Sequence, residues 1–187
     1  HCLEDISIMR LLPNLAVISP SDWKLAESFV DYSINIKMPK YFRLDGKPLP
    51  LIYDNLNNLK LENGFCELLK GRKVCLASTG YTTHRALKAA KELKNIGVVD
   101  VFILKPANEK LLFETLKKYE YIITIKEAFI NNGGLDSLVS KIFCDRQVNI
   151  KLKRMGINNK HVFDLGDRDY LHKLNNLDEE SIIKTVK

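Results

Sequence analysis

Residues 72–106, RKVCLASTGYTTHRALKAAKELKNIGVVDVFILKP, decide the fold. The stretch opens with a short apolar run, Val74 to Ala77, which breaks at Ser78-Thr79-Gly80. Apolar positions then recur at helical spacing: Leu87, Ala90 and Leu93, with Ala86 and Ala89 beside them, make one stripe. Gly97 reads as the helix stop, since glycine takes positive φ without strain. Val98 to Leu104 is a second buried-looking run, closed by Pro106. Strand, tight turn, helix and strand make a βαβ unit, whose crossover leaves the two strands parallel and covered on both faces.

The pattern continues downstream. Asn108 caps a helix with Leu111, Leu112 and Leu116 on its apolar side, and Tyr121 to Ile125 is a third strand. Gly133-Gly134 opens a helix through Leu138, Val139 and Ile142, and Val148 to Leu152 is a fourth strand. Alternating elements of this kind predict an α/β fold: a doubly wound, mostly parallel sheet with helices on both faces. Phe65 to Leu69 is a candidate edge strand, and Asp178 caps a last helix with Ile182, Ile183 and Val186 on its buried side.

The chain has 187 residues, 45% of them hydrophobic, so it can bury a substantial core and hold more than one domain. No apolar run reaches membrane-spanning length and no secretory leader is evident, so we expect a soluble, cytoplasmic protein without membrane contact. The four cysteines, Cys2, Cys66, Cys75 and Cys144, lack metal-site spacing and read as reduced, mostly buried thiols. The net charge of +6 comes from lysines scattered among glutamates on helix faces, not from a basic patch, which argues against nucleic acid.

Upstream of the decisive stretch, residues 1–11 form a short helix with an acidic first turn, ended by Pro13. Leu15 to Ile18 is a strand candidate, Ser19-Pro20-Ser21-Asp22 supplies an N-cap for a helix through Trp23, Leu25, Ala26, Phe29 and Val30, and Tyr41 to Leu44 is a further short strand. This opening quarter is too short for a core of its own. We expect residues 1–45 to be the end of one domain, 46–60 a linker rich in proline and asparagine, and 61–187 a second domain.

Five motifs in order carry a family resemblance. HCLEDISIMRLLPNLAVISPSDW resembles the end of the pyrimidine-binding domain of transketolases, with its His, Glu-Asp pair, apolar helix, Pro-Asn turn and strand running into Pro-x-Asp. PKYFRLDGKPLP resembles the strand of that family ending in Tyr-x-Arg-Leu, and residues 76–106, YIITIKEAF and NNGGLDSLV resemble its C-terminal domain. Tyr41 to Leu44 and Glu4-Asp5-Ile6 favour the transketolase branch, especially its split members, over deoxyxylulose phosphate synthases and oxoacid dehydrogenase β subunits.

The resemblance implies thiamine diphosphate and magnesium in the intact enzyme, held mostly by protein outside this chain, and transfer of a two-carbon ketol unit between sugar phosphates. It implies an N-terminal half or subunit as partner, and a homodimer. It makes Arg43 the contact to the substrate phosphate, which a guanidinium at a strand end can hold by two parallel hydrogen bonds. Alternatively Arg43 caps its strand or pairs with Asp45.

It also places His1 near the family histidine that faces thiamine and substrate, although only two residues separate His1 from Glu4. Glu4 and Asp5 suit a helix N-terminus whatever their function, with Arg10 as a partner. Glu127 follows a strand at the carboxyl edge of the sheet, where it is either a site acid or an acceptor for the Gly133-Gly134 turn. His84, His161 and His172 show no ligand spacing and read as surface or packing residues. A non-catalytic dimerisation or regulatory module is the remaining alternative.

Overall fold

The computed structural model describes residues 2–56 and 59–187, so His1 lies outside the described residues. Two sheets share the described residues. The first part supplies α1 (Asp5–Leu11), β1 (Ala16–Ile18), α2 (Trp23–Asn35) and β2 (Lys40–Phe42). Asp22 caps α2 by accepting from Leu25 N at 2.7 Å. Its other oxygen accepts from Ile52 N and Tyr53 N at 2.7 and 2.9 Å, which straps the segment after β2 across the head of α2.

The second part runs β3 (Phe65–Leu69), β4 (Val74–Ser78), α3 (Thr82–Glu92), β5 (Ile96–Val101), β6 (Ile103–Lys105), α4 (Glu109–Leu116), β7 (Tyr121–Phe129), α5 (Leu135–Cys144), β8 (Lys151–Ile157), α6 (Arg168–Leu174) and α7 (Glu179–Val186). Five strands form the main sheet in the order β3-β5-β4-β7-β8, all parallel except the β3 edge. Strand side chains alternate between its faces. Cys75, Ala77 and Val99 meet α4 and α5 through Leu112, Leu116, Leu138 and Ile142. Leu76, Val98, Ile123 and Ile125 meet α3 and α7 through Ala86, Ala89 and Ile182 on the other face.

Four sequence expectations shift. The run Val98 to Leu104 is not one strand. It bends at Phe102, where Phe102 N and Ile103 N both donate to Gly64 O, and β6 leaves the main sheet to pair antiparallel with β1. The resulting sheet, β2-β1-β6, ties the opening segment to the rest of the chain. The fourth strand begins at Lys151, because Gln147 takes a positive φ of 54° and ends the α5 turn late. Among the cysteines, all free, Cys75 is buried while Cys2 and Cys144 are exposed.

Gly97 does not stop α3. Asn95, at φ 64°, makes that turn, and Gly97 lies inside β5 with the Tyr119 ring against its Cα. The ring is fixed there by its hydroxyl, which donates to Glu67 Oε1 at 2.6 Å and accepts from Gly71 N at 3.3 Å. A methyl group would overlap the phenol. We expect Gly97→Ala to lower stability by about 1–3 kcal/mol through overpacking, read as a fall in the urea midpoint at unchanged m.

Candidate functional site

The carboxyl ends of parallel strands are where open α/β sheets present functional groups. Here the ends of β2 and β7 face each other and α6 lies across them. Arg43 follows β2. Its Nε donates to Asp5 Oδ2 at 2.9 Å, and its Nη2 donates to Glu127 O at 3.2 Å and Cys2 O at 3.4 Å. Nη1 lies 3.9 Å from Glu127 Oε2 and is the corner with capacity for a further acceptor. Asp5 also accepts from Tyr41 OH at 2.8 Å. Burial first, and that bond second, push the Tyr41 phenol up to about 12.

Glu127 collects charge from α6. Its Oε1 lies 3.0 Å from Arg168 Nε and 2.9 Å from His172 Nε2, so the ionised carboxylate fixes the ring hydrogen on Nε2. Arg168 continues to Asp45 Oδ2 at 2.7 Å and lies 4.1 Å over the Tyr81 ring. Beyond Tyr81, Arg85 pairs with Asp169 and Glu179, fastening α3 to α6 and α7. Burial opposes the charge on Glu127, but the His172 bond and the Arg168 and Arg43 charges outweigh it and hold the carboxyl below its usual range.

A group with a lowered folded pKa stabilises the fold above its unfolded value, and that stability is lost as pH falls through the folded one. Glu127→Gln removes the negative charge shared by Arg168, His172 and Arg43 and turns one of its two acceptor oxygens into a donor facing them. We expect a loss of about 2 kcal/mol at pH 7 that shrinks only as the pH falls below the ordinary carboxylate range of about 4 to 4.5, measured by urea unfolding at pH 7 and at about pH 3.

The structure brings Arg43 and Glu127 together, as the sequence did not foresee. Asp45 pairs with Arg168 instead of Arg43. Arg10 bonds neither Glu4 nor Asp5 but donates to Gly133 O and, at 2.7 Å, to Gly134 O. Glu127 does not take the amides of that turn. The Gly133 amide donates to Ser137 Oγ at 3.0 Å, and Asp136 accepts from Asn131 N just upstream at 2.6 Å. Glu4 stands apart, its carboxylate turned back to Leu3 N at 2.9 Å. It lines a groove of about 400 Å³ with Ile8, Leu11 and Phe129, and an adjoining one of about 300 Å³ with Asn132, Lys160 and His161.

Sequence reasoning missed α6 and with it Arg168 and the pairing of His172 with Glu127; of the surface or packing places expected for His172, the structure gives it the packing one, buried beneath the helix. The signal was Asp167, whose side chain accepts from Tyr170 N at 2.8 Å as an N-cap, followed by Tyr170, Leu171 and Leu174 at helical spacing.

Residues 66–182 match the family model described as transketolase, C-terminal domain. The chain belongs to the transketolase family. It is 34% identical over 188 residues to an apulose-4-phosphate transketolase subunit of Actinobacillus succinogenes, a match that covers 98% of this chain and 60% of that protein. It is 30% identical over 187 residues to a 1-deoxy-D-xylulose-5-phosphate synthase of Caldanaerobacter subterraneus, covering 97% of this chain and 30% of that one. A solved structure described as a split gene transketolase, inactive beta4 tetramer, superposes with a TM-score of 0.86 at 28% identity, over all of this chain and 60% of the other. This transketolase-family chain thus spans about three fifths of its split relatives, and its mixed α/β fold is theirs.

Among the described residues no group of three or more His, Cys, Asp or Glu side chains is placed to hold a metal ion. Nor is any helix of the described residues long and apolar enough to cross a membrane. Three carboxylates, Asp5, Asp45 and Glu127, surround the guanidiniums of Arg43 and Arg168. The cluster therefore cannot neutralise a phosphate dianion alone.

Proposed function

We propose that the chain is part of the second subunit of a split transketolase, which moves a two-carbon ketol unit between sugar phosphates once an N-terminal subunit joins it. The observation that carries this reading is the likeness to the apulose-4-phosphate transketolase subunit along 98% of the chain, across both of its sheets and not the C-terminal domain alone. In this reading residues 1–45 close a pyrimidine-binding domain, and magnesium and thiamine diphosphate sit mainly on other protein. The described residues, with three carboxylates around two guanidiniums, do not by themselves fit the metal-bound diphosphate.

Arg43 is the chain's proposed contact to the substrate phosphate. Asp5 and two carbonyls hold its Nε and Nη2, so Nη1 keeps a fixed direction toward an added acceptor. The partner must supply the remaining positive charge. We also infer that the chain self-associates, as the beta4 tetramer of its solved relative does, and that the assembly works in the cytoplasm.

Mixing the purified chain with the N-terminal subunit, magnesium and thiamine diphosphate tests the reaction. Consumption of a ketose phosphate with transfer to an aldose phosphate supports it. Decarboxylation of pyruvate in its place would favour the synthase branch, to which the chain is 30% identical. No turnover of either donor by an assembled complex would overturn the reading.

A further inference from the structure

Cations that are scattered along the sequence are gathered by the fold. At the amino edge of the main sheet the turns and strand starts lie side by side, because their backbones bond one another. Arg72 N donates to Asn95 O at 3.0 Å, just ahead of β5, and Lys73 O accepts from Glu120 N and Tyr121 N at 2.9 and 3.0 Å, at the head of β7. Tyr121 in turn sits opposite Lys151, the first residue of β8. Across the order β3-β5-β4-β7-β8, each strand therefore brings one exposed cation to this edge: Lys70, Lys94, Arg72, Lys118 and Lys151. At the usual strand spacing of about 4.8 Å the row is about 19 Å long. None of the five has an ion-pair partner among the described residues.

The carboxylates near this edge are engaged elsewhere. Glu120 pairs with Lys73 at 3.5 Å, Glu114 with Lys117 at 2.7 Å and Asp145 with Lys141 at 2.9 Å, while Glu67 accepts from Tyr119 OH. Glu92, in the last turn of α3, has Lys91 beside it in sequence. Cations suit helix C-termini, which accounts for Lys94 and Lys118 beyond α3 and α4, and a lysine blunts an edge strand, which accounts for Lys151 on β8. Lys70 and Arg72, in the turn between β3 and β4, serve neither purpose. Neither rule aligns the five in one row.

We propose that this row binds an extended acidic segment of a partner protein. It lies within the residues that match the transketolase C-terminal domain, and residues 2–45 join the sheet at its other edge, where Arg43 and Leu3 bond Glu127 and Phe129. The surface is thus separate from the candidate site, and the proposal stands apart from the reaction assigned there. Unpaired lysines are costly to bury, so whatever covers this edge has to bring matching carboxylates. Side chains on one face of an extended chain recur about every 7 Å, so three or four carboxylates span the row. Nucleic acid fits less well, because Tyr119 and Tyr121, the rings nearest the row, are buried and half-buried and offer no platform for a base. A membrane plane would meet only a single line of charges.

The test follows the fluorescence anisotropy of a labelled peptide of ten glutamates as the chain is added. We expect a Kd of tens of micromolar at about 20 mM salt, weakened at least about tenfold at about 200 mM, where screening shortens to about 7 Å. Lys70→Glu with Arg72→Glu reverses one end of the row and should weaken binding at least about tenfold at low salt. Lys118→Glu with Lys151→Glu, at the other end, should do the same. Lys37→Glu with Lys173→Glu makes an equal change of net charge at exposed positions off the row and should alter binding less than about twofold.

All six positions are exposed, so the circular dichroism spectra of the variants should match that of the parent chain. Absence of binding at low salt, binding indifferent to salt, or an equal loss in the off-row pair would each overturn the proposal, the last by showing that net charge alone attracts the peptide. Tighter binding of a ten-nucleotide uridine strand, or of vesicles rich in phosphatidylserine, would overturn it as well, by giving the row to nucleic acid or to a membrane.

Discussion

Asp136→Asn should cost about 3–5 kcal/mol and lower Tm by roughly 10 °C, because it leaves a wholly buried lysine without its counter-charge. Lys126, on β7, and Asp136, in the first turn of α5, are each 1% exposed and in direct contact. The backbone of Gly134 packs against the lysine stem, so the ammonium has no open route to water. Asp136 also accepts from Asn131 N and lies 3.6 Å from Arg154 Nε, so its removal loosens the whole turn between β7 and α5.

Burial lowers the Lys126 pKa, and the charge of Asp136 only partly restores it. Between that lowered value and the ordinary one the unfolded chain binds more protons than the folded, so this group's contribution to stability rises with pH there. Removing the carboxylate deepens the depression. The variant should therefore regain stability on going from pH 7 toward pH 10 more steeply than the wild type. Lys126→Met with Asp136→Leu removes both charges and should cost less than Asp136→Leu alone, a non-additivity that the cycle of these two single variants and their combination measures in urea. Equal costs for the single and double variants would show that the pair is already screened by water.

The strands that a short-range pattern can specify were legible. β4, β7 and β3, a cap for α2 within residues 19–22, the capping of α4 by Asn108, and the mostly parallel character of the main sheet all follow from apolar runs set against turn residues. What was not legible depends on contacts distant in sequence. Nothing local to Val98–Leu104 says that Phe102 turns the chain out of one sheet and into another. That bend exists because Gly64, some forty residues earlier, offers its carbonyl to two successive amides.

Asn95 replaced Gly97 as the turn residue for a similar reason. Both types tolerate positive φ, and only the Tyr119 ring, arriving from α4's far end, shows why the glycine belongs in the strand. Of the candidate site, Arg43 and Glu127 were readable one at a time from their places at strand ends. Their convergence was not, since it is made by Asp5 and by Arg168 and His172 of a helix whose pattern is short and whose flanks are polar.

Asp100→Asn is expected to change stability with opposite trends at low and neutral pH. Asp100, on β5, is fully buried and accepts hydroxyl bonds from three separate segments. Ser21 Oγ donates at 2.5 Å from ahead of α2, Tyr53 OH at 2.9 Å from the strap, and Thr83 Oγ1 at 2.8 Å from α3. Burial pushes its pKa up to about 6, although all three bonds favour the ionised form. Desolvation therefore wins over hydrogen bonding at this junction.

The folded chain then binds more protons than the unfolded one between about pH 4 and about pH 6. The Asp100 contribution is fully present below that window and declines as pH rises through it, by up to about 3 kcal/mol for a two-unit shift. An asparagine is close in shape to the protonated acid and does not titrate. Its amide nitrogen must turn one donating hydroxyl into an acceptor, which costs about 1–2 kcal/mol at any pH. At pH 4 the variant should therefore be the less stable protein, and by pH 7 the difference should have moved up to about 3 kcal/mol in its favour. Urea midpoints of the two chains at pH 4, 5, 6 and 7 decide the matter. Parallel curves would mean that water reaches the carboxylate and that the three hydroxyls, not desolvation, set its charge.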